Sequence, residues 1–561
     1  MSKTAFKAPL TSPVERWRGA GWFNFYFLLK FALAYAGYVN LNVAYNALLF
    51  TVVLVPIGSR ALGQVRNLTA AVASFCLLWH ESWLPGPQAI AENANNLANF
   101  STAYLADLVV TTVNPVWIVW FAVALISFAF LRHWVRFSAV TTIGLIIAAC
   151  PQMFTMPQPD SQTEAAGVLK TPAAQTMMPE ASNAAVATKA ALEPPQEGPA
   201  QSSNITRWVD AFHAYERGRR VDFPRTRVDS GASGSFDIAI LNICSLSNDD
   251  LAASGLNEHP VLKRFDARFT NFNSATAYSG PASLRLLRSA CGQDSHESLY
   301  KGRVPECEIL NRLRTAGWEN RLYMDHNGQF DKYLASLQRL AGLEPPLVSQ
   351  TGFRRLYDAF DGSPIYDTAD VFRRWRNDLT TQTNPTVSFF NLVALHDGNR
   401  NPHTNQEIDF KIRVRSLLDK LGALMDDLDK LNRPILFVVV PEHGAAYRGD
   451  KVQLARLREI PSPAITHVPV LVKFYGIDLK DKKYVVDGAT SYFAVAEMIN
   501  RVIRSGVYGP NSSNADAVVT SIFSDLPLTW NVSENSNARV VQYAADYWVN
   551  LRGDTWTKYP K

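Results

Sequence analysis

The sequence predicts two parts of different class: an α-helical membrane domain of about five spans, then an α/β domain whose mostly parallel central sheet is covered by helices. Three observations carry this. The chain is 47% hydrophobic, but the long apolar segments all fall in its first 153 residues. A Pro- and Ala-rich stretch follows them. Beyond it, short apolar runs that end in polar residues alternate with amphipathic stripes of helical period. At 561 residues the chain is too long for one core. The expected division is a transmembrane domain over 1–155, a flexible linker over 156–205 and a globular domain over 206–561.

Five segments approach the ~20 residues that cross a bilayer: Trp22 to Val39, Leu41 to Ile57, Leu68 to Trp83, Pro115 to Leu131 and Phe137 to Phe154. The first lacks a small-residue cleavage site and runs at once into more apolar sequence, so it reads as a retained span and not a signal peptide. Lys3, Lys7, Arg16 and Arg18 precede the first span, Arg60 and Arg66 lie between the second and third, and Arg132 and Arg136 lie between the fourth and fifth. Basic residues in alternate loops mark the inner side, and the Lys- and Arg-free segment Pro85 to Asn114 fits the outer side. The start is then cytoplasmic, and everything after Phe154 is outside the cytoplasm. The formal charge of +5 calls for no nucleic-acid partner: nine basic and four acidic residues precede Phe154, and 46 of each follow it.

From Met156 to about Asn204 the sequence has too little apolar content to fold alone and reads as a tether. Structure resumes with a helical stripe of Trp208, Phe212 and Tyr215, then a strand, Phe236 to Ile243, ending at Cys244. Asn273 to Ser289 is a polar loop that becomes a helix after Pro281, with Tyr278 and Ser279 just before it. Thr386 to Leu395 is a buried strand ending in His396 and Asp397. Phe410, Val414, Leu417, Leu421, Leu424 and Leu428 form the buried stripe of a long helix. It leads into Leu436 to Ala446, where five apolar residues run straight into Pro441, Glu442, His443 and Gly444. His467 precedes a last strand, Val468 to Lys473.

Of the five cysteines, Cys76 and Cys150 lie in spans as apolar filler. The other three fall in an oxidising compartment. Cys291 and Cys307 bracket a loop-like stretch and make the expected disulfide, which leaves Cys244 as a free thiol.

Three strand ends therefore carry metal-type or acid-base groups: Cys244, His396 with Asp397, and Glu442 with His443. A hydroxyl, Ser279, stands at a helix start. Each has a structural alternative: Cys244 as packing, Ser279 as a cap, His396 as a hydrogen-bonded surface group. Their convergence on the carboxyl edge of one sheet favours a site. Adjacent carboxylate and imidazole suit a divalent metal of zinc type, which would lower the pKa of a serine hydroxyl, while a helix amino terminus favours an incoming phosphate.

These residues resemble the alkaline-phosphatase-like phosphoethanolamine transferases of the bacterial inner membrane. The matching positions are Cys244, Ser279, Glu442-His443-Gly444 and Thr466-His467-Val468-Pro469. Cys stands where the family has an acidic residue, Glu442 replaces Asp, and Ser279 replaces the commoner Thr. With ILNICSLS, TAYSGPASLRLLR and PEHGAAYRGDK, this combination is similar to the members of the family that modify cellulose. The resemblance implies an alkaline-phosphatase/sulfatase-like fold, five spans and a periplasmic zinc domain. It also implies transfer of phosphoethanolamine from phosphatidylethanolamine to 6-hydroxyls of nascent cellulose, beside a membrane-embedded cellulose synthase complex. Cys244, Glu442 and His443 would then bind Zn2+, with Ser279 as fourth ligand and attacking nucleophile. Tyr278, His396, Arg458 and His467, with Asp397, would hold phosphate or move protons. Arg456 can substitute for Arg458 on sequence grounds, and His467 can instead be a hydrogen-bonded strand cap. An anchored lipid phosphodiesterase or sulfatase-like hydrolase shares this constellation, and a scaffolding subunit of a synthase complex shares the spans.

Overall fold

The computed structural model describes residues 19–36, 38–82, 115–153, 202–225, 235–480, 482–551 and 555–560. They fall into two compact units, 19–82 with 115–153, and 202–560. The expected outer loop Pro85 to Asn114, the basic residues before Arg18 and Arg18 itself, and the tether up to Gln201 lie outside the described residues.

In the first unit five helices take up the five apolar segments: Phe23–Tyr35, Val43–Leu54, Arg60–Glu81, Pro115–Leu131 and Phe137–Met153. Among the described residues, Arg60–Glu81 is the one helix long and apolar enough to cross a membrane. The second helix is only 12 residues because Pro56 follows it, and the residue before a proline is driven out of the helical region: Val55 is extended, with ψ 120°. The third helix begins at Arg60 and not at the expected Leu68, so Arg60 and Arg66 are helical and not in a loop. Cys76 and Cys150 are exposed on their helices.

One feature of this unit was not expected from the sequence. Lys30, 1% exposed, is ion-paired with the buried Glu81. Its ammonium also donates to Asn46 Oδ1 at 2.7 Å and Tyr26 Oη at 2.9 Å. Asn46 Nδ2 donates to Glu81 Oε1 at 2.6 Å, closing the cluster.

The second unit is built on a seven-stranded sheet. Its strands are β1 (Asp237–Ile243), β2 (Ala267–Phe269), β3 (Glu319–Met324), β6 (Thr386–Leu392), β7 (Ile435–Pro441), β8 (Val470–Tyr475) and β9 (Tyr484–Val486). β4 (Arg355–Asp358) and β5 (Pro364–Tyr366) form a separate hairpin. The sheet order is β3-β6-β1-β7-β8-β2-β9. β3, β6, β1 and β7 pair in parallel, whereas β8 is antiparallel to both β7 and β2. The sheet is thus mixed, with one reversed strand.

The apolar runs are continuous because both faces are covered. Ile238 and Ile240 of β1, with Leu436, Val438 and Val440 of β7, enter one core, which includes the helix Tyr492–Ser505. Ala239, Leu241 and Ile243, with Phe437 and Val439, enter the other. There they meet the helix Phe410–Leu431, whose expected stripe of Phe410, Val414, Leu417, Leu421, Leu424 and Leu428 is buried.

A second, four-stranded sheet joins β10 (Val532–Glu534), β11 (Ala538–Tyr543), β12 (Asp546–Leu551) and β13 (Thr557–Lys558). The helix Ser202–Gly218 packs on it through Trp208, Val209 and Phe212. That helix starts within the stretch read from sequence as tether. Cys291 and Cys307 are disulfide-bonded, and Cys244 is free and buried.

Candidate metal centre and nucleophile

Parallel neighbours end together, so β1 delivers Cys244 and β7 delivers Glu442 and His443 to one edge, with Ile243 opposite Pro441 in the register. The turn after β7 is held tightly. Asp250 Oδ2 accepts the amide of Ala445 at 2.7 Å and Oδ1 accepts that of Tyr447 at 3.1 Å. Gly444 permits this approach: a Cβ there would stand 2.6 Å from Ser247 Oγ and 2.8 Å from Asp250 Oδ2. Non-glycine residues with positive φ surround the site, Ser245 at 74°, Ala275 at 62° and Ala446 at 53°. Such strain persists where the surroundings over-determine the backbone.

The helix that follows the polar loop from Asn273 spans Ser279–Leu287, so Ser279 is its first residue and not a residue before it. Tyr278 remains extended as the N-cap. Ser279 Oγ lies 3.1 Å from His443 Nε2 and 3.2 Å from Cys244 Sγ. Cys244, Glu442 and His443 are fully buried, whereas Ser279 is half-buried. The hydroxyl therefore stands between a closed set of donors and the outside.

Glu442 is divided between two tasks. Its Oε1 accepts from Asn391 Nδ2 at 2.6 Å, Ser283 Oγ at 2.9 Å and the Tyr333 hydroxyl at 3.2 Å. Its Oε2 is buried with no hydrogen-bond partner. His443 Nδ1 lies 2.9 Å from Gly444 O and 3.3 Å from Arg458 Nη1. A carbonyl only accepts, so the shorter contact makes Nδ1 the proton-bearing atom and leaves the Nε2 lone pair facing Ser279.

The electrostatics test whether a metal fits. One donor atom each from Cys244, Glu442 and His443 lie within 4.8 Å of one another. Burial, then the Glu442 charge, pushes the Cys244 thiol up to about 12. Burial raises the Glu442 carboxyl against its hydrogen bonds. Burial, then the Arg458 charge, lowers His443 well below the usual imidazole range. Burial is the largest cause of all three shifts, and a bound divalent ion would reverse the first two. The orphaned Oε2, the free Nε2 lone pair, a thiol and a hydroxyl form a tetrahedral-type donor set of the kind zinc takes. These residues fit the ion.

The remaining expected residues divide. Arg458 is at the site, its Nη1 3.4 Å from Ser245 Oγ. Arg456 is not its equivalent, because it pairs with Glu407 at 2.8 Å and Asp397 at 3.6 Å. His396 is drawn down to about 4 by burial, then by the charge of Arg458. Its Nδ1 donates to Asp397 O at 2.8 Å and its ring stacks on Phe360. The Tyr278 hydroxyl donates to Glu459 at 2.8 Å, tying the nucleophile loop to the segment that carries Arg458. His467 reaches the same sheet edge because β8 is reversed, and its Nε2 meets the Tyr547 hydroxyl at 3.4 Å.

Sequence reasoning missed the layer behind the ligands. Asn242 and Asn391 are register partners, and Asn391 Nδ2 also donates to Asn242 Oδ1 at 3.1 Å. Each is a polar letter inside an apolar strand run, a signal of a satisfied buried group. Ser283 lies one helical turn beyond Ser279, on the same face.

Two family models match the chain: the cellulose biosynthesis protein BcsG C-terminal domain over residues 189–556 and the BcsG N-terminal domain over residues 22–150. The cellulose biosynthesis protein BcsG of Salmonella typhimurium is 37% identical over 98% of this chain and 98% of that protein. The one from Escherichia coli is 37% identical over 98% and 97%. Among solved structures, the lipooligosaccharide phosphoethanolamine transferase A of Neisseria meningitidis is similar at 12% identity and a TM-score of 0.38, over 87% of this chain and 96% of that one.

Proposed function

The chain belongs to the BcsG family of cellulose biosynthesis proteins, and from that premise we propose that it transfers phosphoethanolamine from phosphatidylethanolamine to the 6-hydroxyls of nascent cellulose. The observation that carries the chemistry is Ser279 Oγ, set 3.1 Å from His443 Nε2 and 3.2 Å from Cys244 Sγ beside an unpartnered Glu442 Oε2. Cys244, Glu442, His443 and Ser279 would hold Zn2+. The ion, when bound, supplies a lowered pKa at the serine hydroxyl and charge for the phosphoryl oxygens.

The chain's own groups do the rest. Ser279 Oγ attacks phosphorus, the bond from phosphorus to the diacylglycerol oxygen breaks, and the lipid leaves with a proton. The sugar 6-hydroxyl then attacks the serine-bound phosphorus, and Ser279 is released. Arg458, with its guanidinium beside His443 and Ser245, binds phosphate oxygens, and neutral His396 accepts or returns a proton. Tyr278 positions the nucleophile loop through Glu459. His467 meets the Tyr547 hydroxyl at 3.4 Å and Asp397 meets Arg456 at 3.6 Å, so each has a protein partner. Parking the headgroup on serine spares the site from holding a lipid and a polymer at once.

The five helices of the first unit support membrane anchoring, with the start cytoplasmic, the catalytic domain periplasmic and the tether between them. A cellulose synthase complex in the same membrane is the partner that would present the polymer. The test is intact mass spectrometry of the full chain exposed to phosphatidylethanolamine without acceptor. A phosphoethanolamine adduct on Ser279, absent from Ser279→Ala, is the expected result. Transfer to cello-oligosaccharide by Ser279→Ala at the parent rate refutes the serine route.

A further inference from the structure

A cavity of about 400 Å³ opens beside the second sheet, lined by Asn271, Trp530, Asn531, Gln542 and the small side chains Ala489 and Ala544. Its volume falls in the range of small-ligand sites, roughly 300–1,000 Å³. No Lys, Arg, Asp or Glu lines it, so it is unsuited to a phosphate or an ammonium headgroup. It combines one indole side chain with three amide side chains. An amide both donates and accepts, as a hydroxyl does, and an indole face packs against the C–H face of a sugar ring. Asn531 is 4% exposed, and its Oδ1 is buried without a hydrogen-bond partner. Its Nδ2 donates to Gln542 Oε1 at 2.7 Å, which orders the two amides as one rigid pair. A buried acceptor left unsatisfied on a cavity wall is costly unless a ligand or water donates to it.

The cavity shares its frame with the nucleophile loop. Asn271 stands on the segment that continues through Asn273 to Ser279. Asn273 is fastened to the second sheet, its Nδ2 donating to Val532 O at 3.2 Å and its Oδ1 accepting from Ser533 Oγ at 2.9 Å. Tyr547 meets Gln542 Oε1 at 3.5 Å and His467 Nε2 at 3.4 Å, so one hydroxyl bridges cavity wall and sheet edge. We propose that this cavity is an acceptor subsite, holding a glucose residue of a neutral β-linked glucan with Trp530 against the ring and Asn271, Asn531 and Gln542 on its hydroxyls. The proposal rests on the reading of the acceptor as a glucan given above.

The test is titration calorimetry of cellohexaose into the full-length Ser279→Ala chain in detergent, which cannot turn over on the serine route. Binding is expected, weakened at least about tenfold by adding Trp530→Ala, the equivalent of ~1.4 kcal/mol, and largely kept by Trp530→Phe. Gln542→Ala, at a half-buried position, decides the matter if Trp530→Ala lowers the melting temperature. Absence of binding by Ser279→Ala, or undiminished binding after adding either Trp530→Ala or Gln542→Ala, overturns the subsite. Binding that depends on Trp530, in a wild-type chain that forms no serine adduct and modifies no glucan, refutes the transfer reading and leaves the subsite standing. An adduct and transfer whose acceptor KM is the same in Trp530→Ala does the reverse.

Discussion

Glu81 in the helical unit and Glu442 at the sheet edge are both carboxylates shut away from water, and they are compensated in opposite ways. Glu81 has Lys30 against it, and Asn46 donates to its other oxygen. Glu442 has three neutral donors on Oε1 and nothing on Oε2. Burying a charge is unfavourable without a partner, so a carboxylate that serves architecture brings its cation along in the chain. Glu442 instead leaves one oxygen unpartnered, where a cation from outside would fit.

Glu442→Gln should have the largest effect. An amide keeps the size but presents an N–H₂ either to the three donors or to the metal, and neither arrangement is satisfied. Metal analysis should show zinc content collapsing, and transfer should fall about a thousandfold, ~4 kcal/mol in the barrier. Full zinc occupancy with normal turnover would mean that Glu442 is buried for structural reasons, as Glu81 is.

Lys30→Met tests the other side. It strands Glu81 without a cation and should cost on the order of 3–5 kcal/mol, seen as a lower melting temperature in detergent. Adding Glu81→Gln should restore most of the loss. A single variant as stable as the parent would show that Lys30 does not compensate Glu81, and the distinction from Glu442 would collapse.

Glu534 is a control, because it lies in the same unit as Glu442 yet has cations of its own. Burial raises its carboxyl, but the His213 side chain at 3.1 Å, the Arg285 charge at 4.0 Å and the His296 amide at 2.8 Å outweigh that and hold it at about 2. A carboxylate depressed in the fold stabilises above its unfolded pKa and loses that contribution as pH falls towards the folded one. Up to roughly 3 kcal/mol should therefore be present at neutral pH and lost between about pH 5 and pH 2. Melting curves of Glu534→Gln against the parent should converge across that window. Parallel curves throughout would remove Glu534 from the compensated class.

The sheet was legible because its middle strands are buried on both faces and read as unbroken apolar runs, and the donors at their ends stood out as the first polar letters after each run. β3 escaped notice since Glu319, Asn320 and Arg321 open it with polar residues at its exposed end. The second sheet was hidden for a related reason: Glu534 reads as solvent-facing until His213 and Arg285, distant in sequence, are folded against it. Lys30 and Glu81 were invisible as a pair because a hydropathy window averages single charges away. The candidate ligands were therefore easier to pick out than the groups that hydrogen-bond to them. Tyr333 and Asn391 reach Glu442 only through tertiary packing that no local spacing encodes.

The reversal of β8 governs how this candidate site can change. Residues 442–469 leave the sheet edge at Glu442 and return to that edge at His467, so the whole excursion with Arg456, Arg458 and Glu459 begins and ends at the edge that carries the candidate metal centre. Beyond the turn that Asp250 holds through Ala445 and Tyr447, a segment clamped at both ends in one place can lengthen, shorten or exchange residues at small entropic cost without disturbing the strands that position the candidate ligands. Its position makes it a replaceable cassette, through which recognition of the phosphoryl group could be remodelled by drift or by design while Cys244, Glu442 and His443 stay where the sheet puts them.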